Sequence, residues 1–219
     1  MEKPAAFEPV KKDDRYSAQE KTQLRINRLA DNTTLEYLFL GHSYVDRMNW
    51  HRETCDEAYR VFESRGLRLA TDDVPSGTVL AAGVGGERLG NLLHRIGEDW
   101  LPALAKKCRV NRIVVIIGTN DAACGQTNKF QGSYQAIYDR LAALFPAARI
   151  FFVGVTERDG LSKGVEALNK VISYVCAHSK TAEFIPAMPV KLCDLELDRV
   201  HLRPKTYVPY LRHILDASL

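Results

Sequence analysis

An uninterrupted run of β-branched residues, Ile113 to Ile117, limits what this chain can fold into more than any other feature. A strand with one face in solvent alternates apolar and polar residues, whereas a continuous apolar run indicates burial on both faces. Such strands are typical of parallel sheets that helices cover on both sides. The run ends abruptly in Gly118-Thr119-Asn120-Asp121, which predicts a polar loop at the carboxyl end of the strand.

Apolar segments of strand length alternate with helical patterns along the chain. We predict five strands, at residues 35–40, 78–82, 112–117, 149–155 and 182–185, with amphipathic helices between them, the first at about 50–65. This alternation indicates a parallel sheet with right-handed crossovers. The predicted fold class is therefore α/β: a three-layer α/β/α domain whose five-stranded parallel sheet has the flavodoxin-like order 2-1-3-4-5.

The first 34 residues differ from the rest of the chain. We predict a polar N-terminal arm over residues 1–34, with a helix near 17–30, and a folded domain over residues 35–219. The arm is a candidate tether for self-association or for attachment to a larger assembly. It lacks the apolar core of a signal peptide, and no apolar run approaches the ~20 residues that span a membrane, so we expect a cytoplasmic protein.

Charge and cysteine content exclude two further classes. The net charge of +3 is mild, and no basic stripe is interleaved with aromatic residues, so we expect no nucleic-acid partner. The five cysteines are scattered without a CxxC pair, which favours free thiols over a zinc site. We expect no metal and no cofactor.

Polar residues cluster directly after the predicted strands. Ser43 follows the first strand, Gly86 the second and Asn120 the third, while Asp198 and His201 precede the last helix. The carboxyl ends of parallel strands meet at one edge of a sheet, where open α/β folds place their sites. Each residue alone has an ordinary alternative: Ser43 as a helix cap, the glycines as a phosphate-binding turn, Asn120 in a plain turn and His201 as a structural histidine.

Four blocks of the sequence resemble those of the SGNH (GDSL-like) hydrolases. They are Gly-x-Ser at residues 41–43, Gly-x-Gly-Gly at 83–86, Gly-Thr-Asn-Asp at 118–121 and Asp-x-Val-His-Leu at 198–202. Their order and spacing are similar to those of the family over residues 35–218, most of all to its platelet-activating-factor acetylhydrolase-like branch. The resemblance implies a metal-independent serine esterase, acting on a small-molecule ester through an acyl-enzyme, with acetyl as the expected acyl group.

The resemblance also implies roles for individual residues. Ser43 would be the nucleophile, His201 its base, and Asp198 the carboxylate that orients the imidazole. The oxyanion hole would consist of the Ser43 and Gly86 backbone N–H groups and the Asn120 amide. By topology alone, four residues are expected at the substrate rim: Tyr44, Arg88, Asp121 and Glu157.

One residue departs from the family pattern. His42 stands where the family usually has aspartate between the glycine and the serine. This exchange leaves a second hypothesis open, a hydrolase-like binding module with weak or absent catalysis inside a larger assembly. His42 is also a rival base beside Ser43, although adjacent side chains on a strand-to-turn segment tend to point apart. A flavodoxin-like nucleotide binder is a third hypothesis.

Overall fold

The computed structural model describes residues 5–9, 18–50, 52–70, 78–122, 126–158 and 160–219. One five-stranded sheet runs through the domain, and every strand pair in it is parallel. Its spatial order is β2-β1-β3-β4-β5, so the predicted order is confirmed. The strands are β1 (Thr33–Gly41), β2 (Val79–Gly83), β3 (Cys108–Ile116), β4 (Arg149–Val153) and β5 (Ala182–Ile185).

Helices cover both faces of the sheet. In chain order they are α1 (Ala18–Arg28), α2 (Ser43–Trp50), α3 (Arg52–Glu63), α4 (Leu89–Gly97), α5 (Trp100–Lys107), α6 (Phe130–Leu144), α7 (Ser162–Ala177) and α8 (Pro204–Ala217). Among the described residues, no helix has the length and apolar character needed to cross a bilayer.

The core is divided in two because side chains of a strand alternate between the faces of a sheet. On β1, Leu38 and Leu40 enter a cluster with α4, α5, α6 and α7, whereas Tyr37 and Phe39 enter a cluster with α2, α3 and α8. All four of these side chains are buried, as expected for a strand that helices cover on both faces. This is the three-layer α/β/α arrangement predicted from the sequence.

The residues before β1 also contact this domain. Ile26 and Leu29, in and just after α1, are buried in the same cluster as Leu38. Phe7 packs on α6, where its ring centroid lies 6.0 Å from that of Phe130. The described parts of the N-terminal 34 residues thus lie against the domain.

The predicted helix at about 50–65 corresponds to α3, which begins and ends within two residues of the predicted bounds. A further helix that was not predicted, α2, precedes it and begins at Ser43, two residues after β1 ends. The carbonyl of His42 accepts hydrogen bonds from the backbone N–H groups of Val45 and Asp46, at 3.0 and 3.1 Å, which closes the first turn of α2. The other elements lie within a few residues of their predicted bounds.

Candidate active site

Ser43, His201 and Asp198 form a continuous hydrogen-bonded chain. Ser43 Oγ lies 2.8 Å from His201 Nε2, and His201 Nδ1 lies 2.5 Å from Asp198 Oδ2. A serine hydroxyl, an imidazole and a carboxylate in this order are the arrangement that activates serine in hydrolases. The structure therefore brings together the three residues predicted as catalytic, although they are up to 158 positions apart in sequence.

The turn that presents Ser43 depends on Gly41. Gly41 has φ +143°, and a Cβ at this position would overlap the carbonyl oxygen of Ile116 on β3. Only glycine fits there, so the chain can leave β1 sharply and begin α2 at once. Ser43 consequently occupies the first turn of α2, where backbone N–H groups lack intrahelical acceptors and can bind a developing negative charge.

The loop of residues 195–202, here called the imidazole loop, positions the side chain of His201. Leu195 and Leu202 form an antiparallel bridge, both are buried, and the Glu196 backbone N–H donates to the His201 carbonyl at 2.7 Å. Inside the loop, Asp198 Oδ1 accepts the backbone N–H groups of Val200 and His201 at 2.9 and 3.0 Å. The backbone of the loop thus fixes one oxygen of Asp198, and the other oxygen is free to contact the imidazole.

These hydrogen bonds set the charge of Asp198. Its partial burial favours the neutral acid, but hydrogen bonds from the His201 backbone and side chain and from the Val200 N–H outweigh burial and lower the pKa of Asp198 to about 2. Asp198 is therefore a carboxylate at neutral pH and can accept the Nδ1 proton of His201.

The turn after β2 follows the strand that pairs with β1, and Gly83 at the end of β2 pairs with Gly41. Gly86 is exposed and has φ +68°. Asn120 reaches across from the loop after β3, and its Nδ2 donates to the carbonyl of Glu87 at 3.0 Å. The Glu87 carboxylate is buried in a bidentate ion pair with Arg95, at 2.7 and 2.9 Å. Gly86 and Asn120, both predicted oxyanion donors, are therefore held side by side.

The nucleophile helix and this turn are also joined directly. The Gly85 N–H donates to Asp46 Oδ2 at 2.9 Å, and Asp46 is buried on α2, one turn after Ser43. Gly83, at the end of β2, packs so closely on α2 that a Cβ there would overlap the backbone nitrogen of Asp46. The sequence analysis did not single out Asp46; an acidic residue in the first turn of a helix is the local signal that marks it.

His42 is a buried neutral imidazole. Its burial, together with the electrostatic effects of the nearby His201 and Arg158 side chains, lowers the pKa of His42 to about 3. His42 Nδ1 accepts the Tyr44 N–H at 3.3 Å and lies 3.5 Å from Ser43 Oγ. Because His201 Nε2 is closer to the same hydroxyl, the geometry favours His201 as the base.

The four residues predicted at the rim have different environments. Tyr44 does not reach the rim, because its ring is buried and its hydroxyl donates to the Val200 carbonyl at 2.8 Å, behind the imidazole loop. Burial also raises the pKa of Tyr44 to about 12. Glu157 is exposed beyond β4 and accepts a hydrogen bond from Ser162. Arg88 and Asp121 both line a cleft of about 430 Å³ that includes Gly86.

Asp121, in the loop after β3, has a buried carboxyl group that contacts the N-terminal end of α4. Its two carboxyl oxygens accept the Leu89 N–H at 3.2 Å. Burial raises the pKa of Asp121 to about 7, against the opposing effect of this hydrogen bond. Asp121 is thus partly protonated at neutral pH and supports the helix that follows the Gly86 turn.

An ion pair that the sequence analysis missed connects the two halves of the site. Arg47 lies one turn after Ser43 on α2, and its Nη1 contacts Glu196 Oε1 at 2.8 Å. The two residues are 149 positions apart, and no local pattern in the sequence relates them. This pair ties the nucleophile helix to the loop that carries His201.

Glu196 also brings a second carboxylate close to the imidazole. Donor atoms of Glu196, Asp198 and His201 lie within 4.8 Å of one another, and these three residues could approach a common cation. Each already has a protein partner: Arg47 for Glu196, Asp198 for His201 Nδ1 and Ser43 for His201 Nε2. We interpret the cluster as a hydrogen-bonded and ionic network that surrounds the imidazole.

Sequence comparison identifies the family of this arrangement. The model of the GDSL-like lipase/acylhydrolase family matches residues 39–208, which include all four blocks described above. The chain belongs to the GDSL-like lipase/acylhydrolase family. This GDSL-like protein is a member of the SGNH hydrolase superfamily and a carboxylic ester hydrolase, as predicted. No curated protein matches the chain significantly.

Solved structures show the same fold at low sequence identity. A protein from Streptococcus pneumonia, provisionally described as a platelet activating factor, has a TM-score of 0.66 and 20% identity, covering 92% of each chain. A carbohydrate esterase of family 3 from Talaromyces cellulolyticus has a TM-score of 0.62 and 15% identity, covering 84% of this chain and all of its own. A variant acetyl xylan esterase from Geobacillus stearothermophilus has a TM-score of 0.59 and 14% identity, covering 86% of this chain and 95% of its own.

Proposed function

We propose that this protein is a serine esterase that removes short acyl groups, acetyl first among them, from small-molecule esters. The observation that carries the proposal is the unbroken chain from Ser43 Oγ through His201 to Asp198, with contacts of 2.8 and 2.5 Å. A serine hydroxyl is a weak nucleophile until a base accepts its proton, and this geometry supplies the base.

The reaction uses the groups in sequence. Ser43 Oγ attacks the ester carbonyl while His201 Nε2 takes its proton, and Asp198 stabilises the resulting imidazolium. The N–H groups of Ser43 and Gly86 and the amide of Asn120 stabilise the oxyanion. His201 then returns the proton to the leaving alcohol, which produces an acyl-enzyme. Water attacks the acyl-enzyme with His201 again as base, releases the carboxylic acid and restores Ser43.

Two observations support a short acyl group. The His201 and Asp198 side chains are 20% and 44% exposed, so the site is shallow on their side. The described residues between the four blocks form no separate lid domain over the imidazole. The similar esterase from Geobacillus stearothermophilus is named for acetyl xylan, which makes acetylated sugars reasonable first substrates for an assay.

The test replaces the nucleophile and asks two questions of the same variant. Ser43→Ala should abolish hydrolysis of p-nitrophenyl acetate and stoichiometric labelling by a fluorophosphonate, and it should leave the thermal melting curve intact. Ser64→Ala, at an exposed position directly after α3, is the matched control and should retain both activities. Full hydrolysis by Ser43→Ala would overturn the proposal. An unlabelled and inactive wild-type protein would favour the binding-module hypothesis instead.

A further inference from the structure

The cleft beside Gly86 has a wall that comes from the N-terminal segment. Phe7 and Glu8 line this 430 Å³ cleft together with residues that follow β2 and β3, Gly86, Arg88 and Asp121 among them. The cleft therefore includes a proposed oxyanion donor and residues of the first turn of α4, Gly90 and Asn91. Neither the sequence blocks nor the proposed mechanism assigns a role to residues 5–9.

Residues 5–9, here called the N-terminal strap, lie in a groove between the N-terminal ends of α4 and α6. The Phe7 N–H donates to Ser133 Oγ on α6 at 2.8 Å, and Ser133 is buried. The Phe7 ring packs on Phe130, and Lys129 Nζ lies 5.6 Å from its centroid. The strap thus has a backbone hydrogen bond, an aromatic contact and a cation–π contact to the start of α6.

Gly90 on α4 forms the opposite side of the groove. A Cβ at Gly90 would lie 2.8 Å from the carbonyl oxygen of Glu8 and 3.5 Å from Cβ of Phe7. The atoms nearest to such a Cβ all belong to the strap, so a side chain at Gly90 would have to displace it. Glycine at this position in the first turn of α4 allows the strap to pass close over the helix.

We propose that the N-terminal strap is a specificity element, with Phe7 as the wall against which the distal part of the ester packs. This inference rests on the proposed function, because it places the ester carbonyl at Gly86. A group larger than methyl, attached to that carbonyl or to its alcohol, would extend into the cleft. The apolar face of such a group would contact the Phe7 ring, and its polar atoms would lie near Arg88.

Selectivity between esters of different size tests the strap. The probes are p-nitrophenyl acetate and p-nitrophenyl benzoate for the acyl side, and methyl acetate and phenyl acetate for the alcohol side. Phe7→Ala should lower the ratio of kcat/KM for the larger over the smaller ester by at least about fivefold in one of the two series. The series that responds identifies the part of the substrate that occupies the cleft.

Two further variants separate contact from folding. Gly90→Ala should displace the strap through the Glu8 carbonyl and lower the same ratio, and it should have no added effect when residues 1–9 are deleted. Tyr174→Ala is the matched aromatic control; this residue is half exposed on α7 and stacks on His178 at the far end of that helix. The control should leave the ratio unchanged.

Failure of the strap assignment differs from failure of the proposed function. If the wild-type protein hydrolyses the acetates but Phe7→Ala leaves both ratios unchanged, or raises them, the strap is not a contact wall and the inference is overturned. If the wild-type protein hydrolyses nothing, calorimetric binding of benzoate and acetate replaces the kinetic ratio. Loss of benzoate preference in Phe7→Ala would then support the strap without the esterase, and an unchanged preference would overturn it.

Discussion

The ion pair between Arg47 and Glu196 predicts opposite effects on the pH profile from its two members. Glu196 places a carboxylate oxygen within 4.8 Å of a ring nitrogen of His201, and Arg47 offsets the carboxylate charge from 2.8 Å. The Glu196 carboxylate stabilises the protonated imidazole, so Glu196→Gln should move the acidic limb of kcat/KM to lower pH. Arg47→Met leaves the carboxylate uncompensated and should move the same limb to higher pH.

The size of the effect follows from the distance. Two unit charges 4.8 Å apart interact by about 3.5 kcal/mol at an effective dielectric constant of 20 and by about 0.9 kcal/mol in water. The Glu196 side chain is 28% exposed, which places the interaction between these limits and the expected displacement near one pH unit. Added salt should reduce the displacement, because partly exposed charges are screened.

The assay is kcat/KM for p-nitrophenyl acetate from about pH 5 to about pH 9 at low ionic strength, read at a wavelength where product ionisation does not affect absorbance. Glu166→Gln is the matched control, since Glu166 is an exposed carboxylate paired with Lys170 on α7. Displacement of both variants in the same direction, or of neither, would refute the electrostatic reasoning. A uniform loss of activity at every pH would show that the pair acts on geometry alone.

Two further substitutions test the charge states of the site. Asp198→Asn should lower kcat by about 10⁴-fold, because an amide no longer stabilises the imidazolium. The melting temperature should change little, because the amide oxygen can still accept hydrogen bonds from the loop N–H groups. A loss of kcat below tenfold in steady-state kinetics would contradict this role. Asp121→Asn should stabilise the protein by up to about 4 kcal/mol at pH 8, since a pKa raised from 3.8 to about 7 makes folding less favourable as pH rises through that interval. Urea unfolding at pH 4 and pH 8 measures this, and equal effects of the substitution at both pH values would contradict it.

The sheet was predictable because its signal is local. Each strand is a compact apolar run such as Ile113 to Ile117, and the rhythm of strands and helices fixes a parallel order. The positions of Ser43, Gly86, Asn120 and His201 followed from the rule that sites form at the carboxyl edge. The positions needed only short-range patterns and one topological rule, whereas the expected roles of these residues came from the resemblance to the SGNH hydrolases.

What the sequence did not reveal depends on contacts between distant residues. Helix α2, which was not predicted, begins directly after β1 because of the conformation of Gly41 against β3, and no periodicity marks an eight-residue helix that begins at the strand end. The burial of Tyr44 depends on the imidazole loop that covers it. The Arg47–Glu196 pair joins segments whose proximity exists only after the sheet has formed.

The packing of Gly83 on α2 has a consequence for how the esterase responds to substrate. A methyl group at Gly83 would collide with α2, and Asp46 on α2 accepts a hydrogen bond from the turn that follows β2. Helix α2 and this turn must therefore move together. The nucleophile on α2 and the proposed oxyanion donor after β2 therefore form one rigid unit, which is preorganised before an ester binds. The proposed selectivity between esters would then arise from the N-terminal strap, residues 5–9, which lines the same cleft as Gly86 but belongs to neither of these two elements.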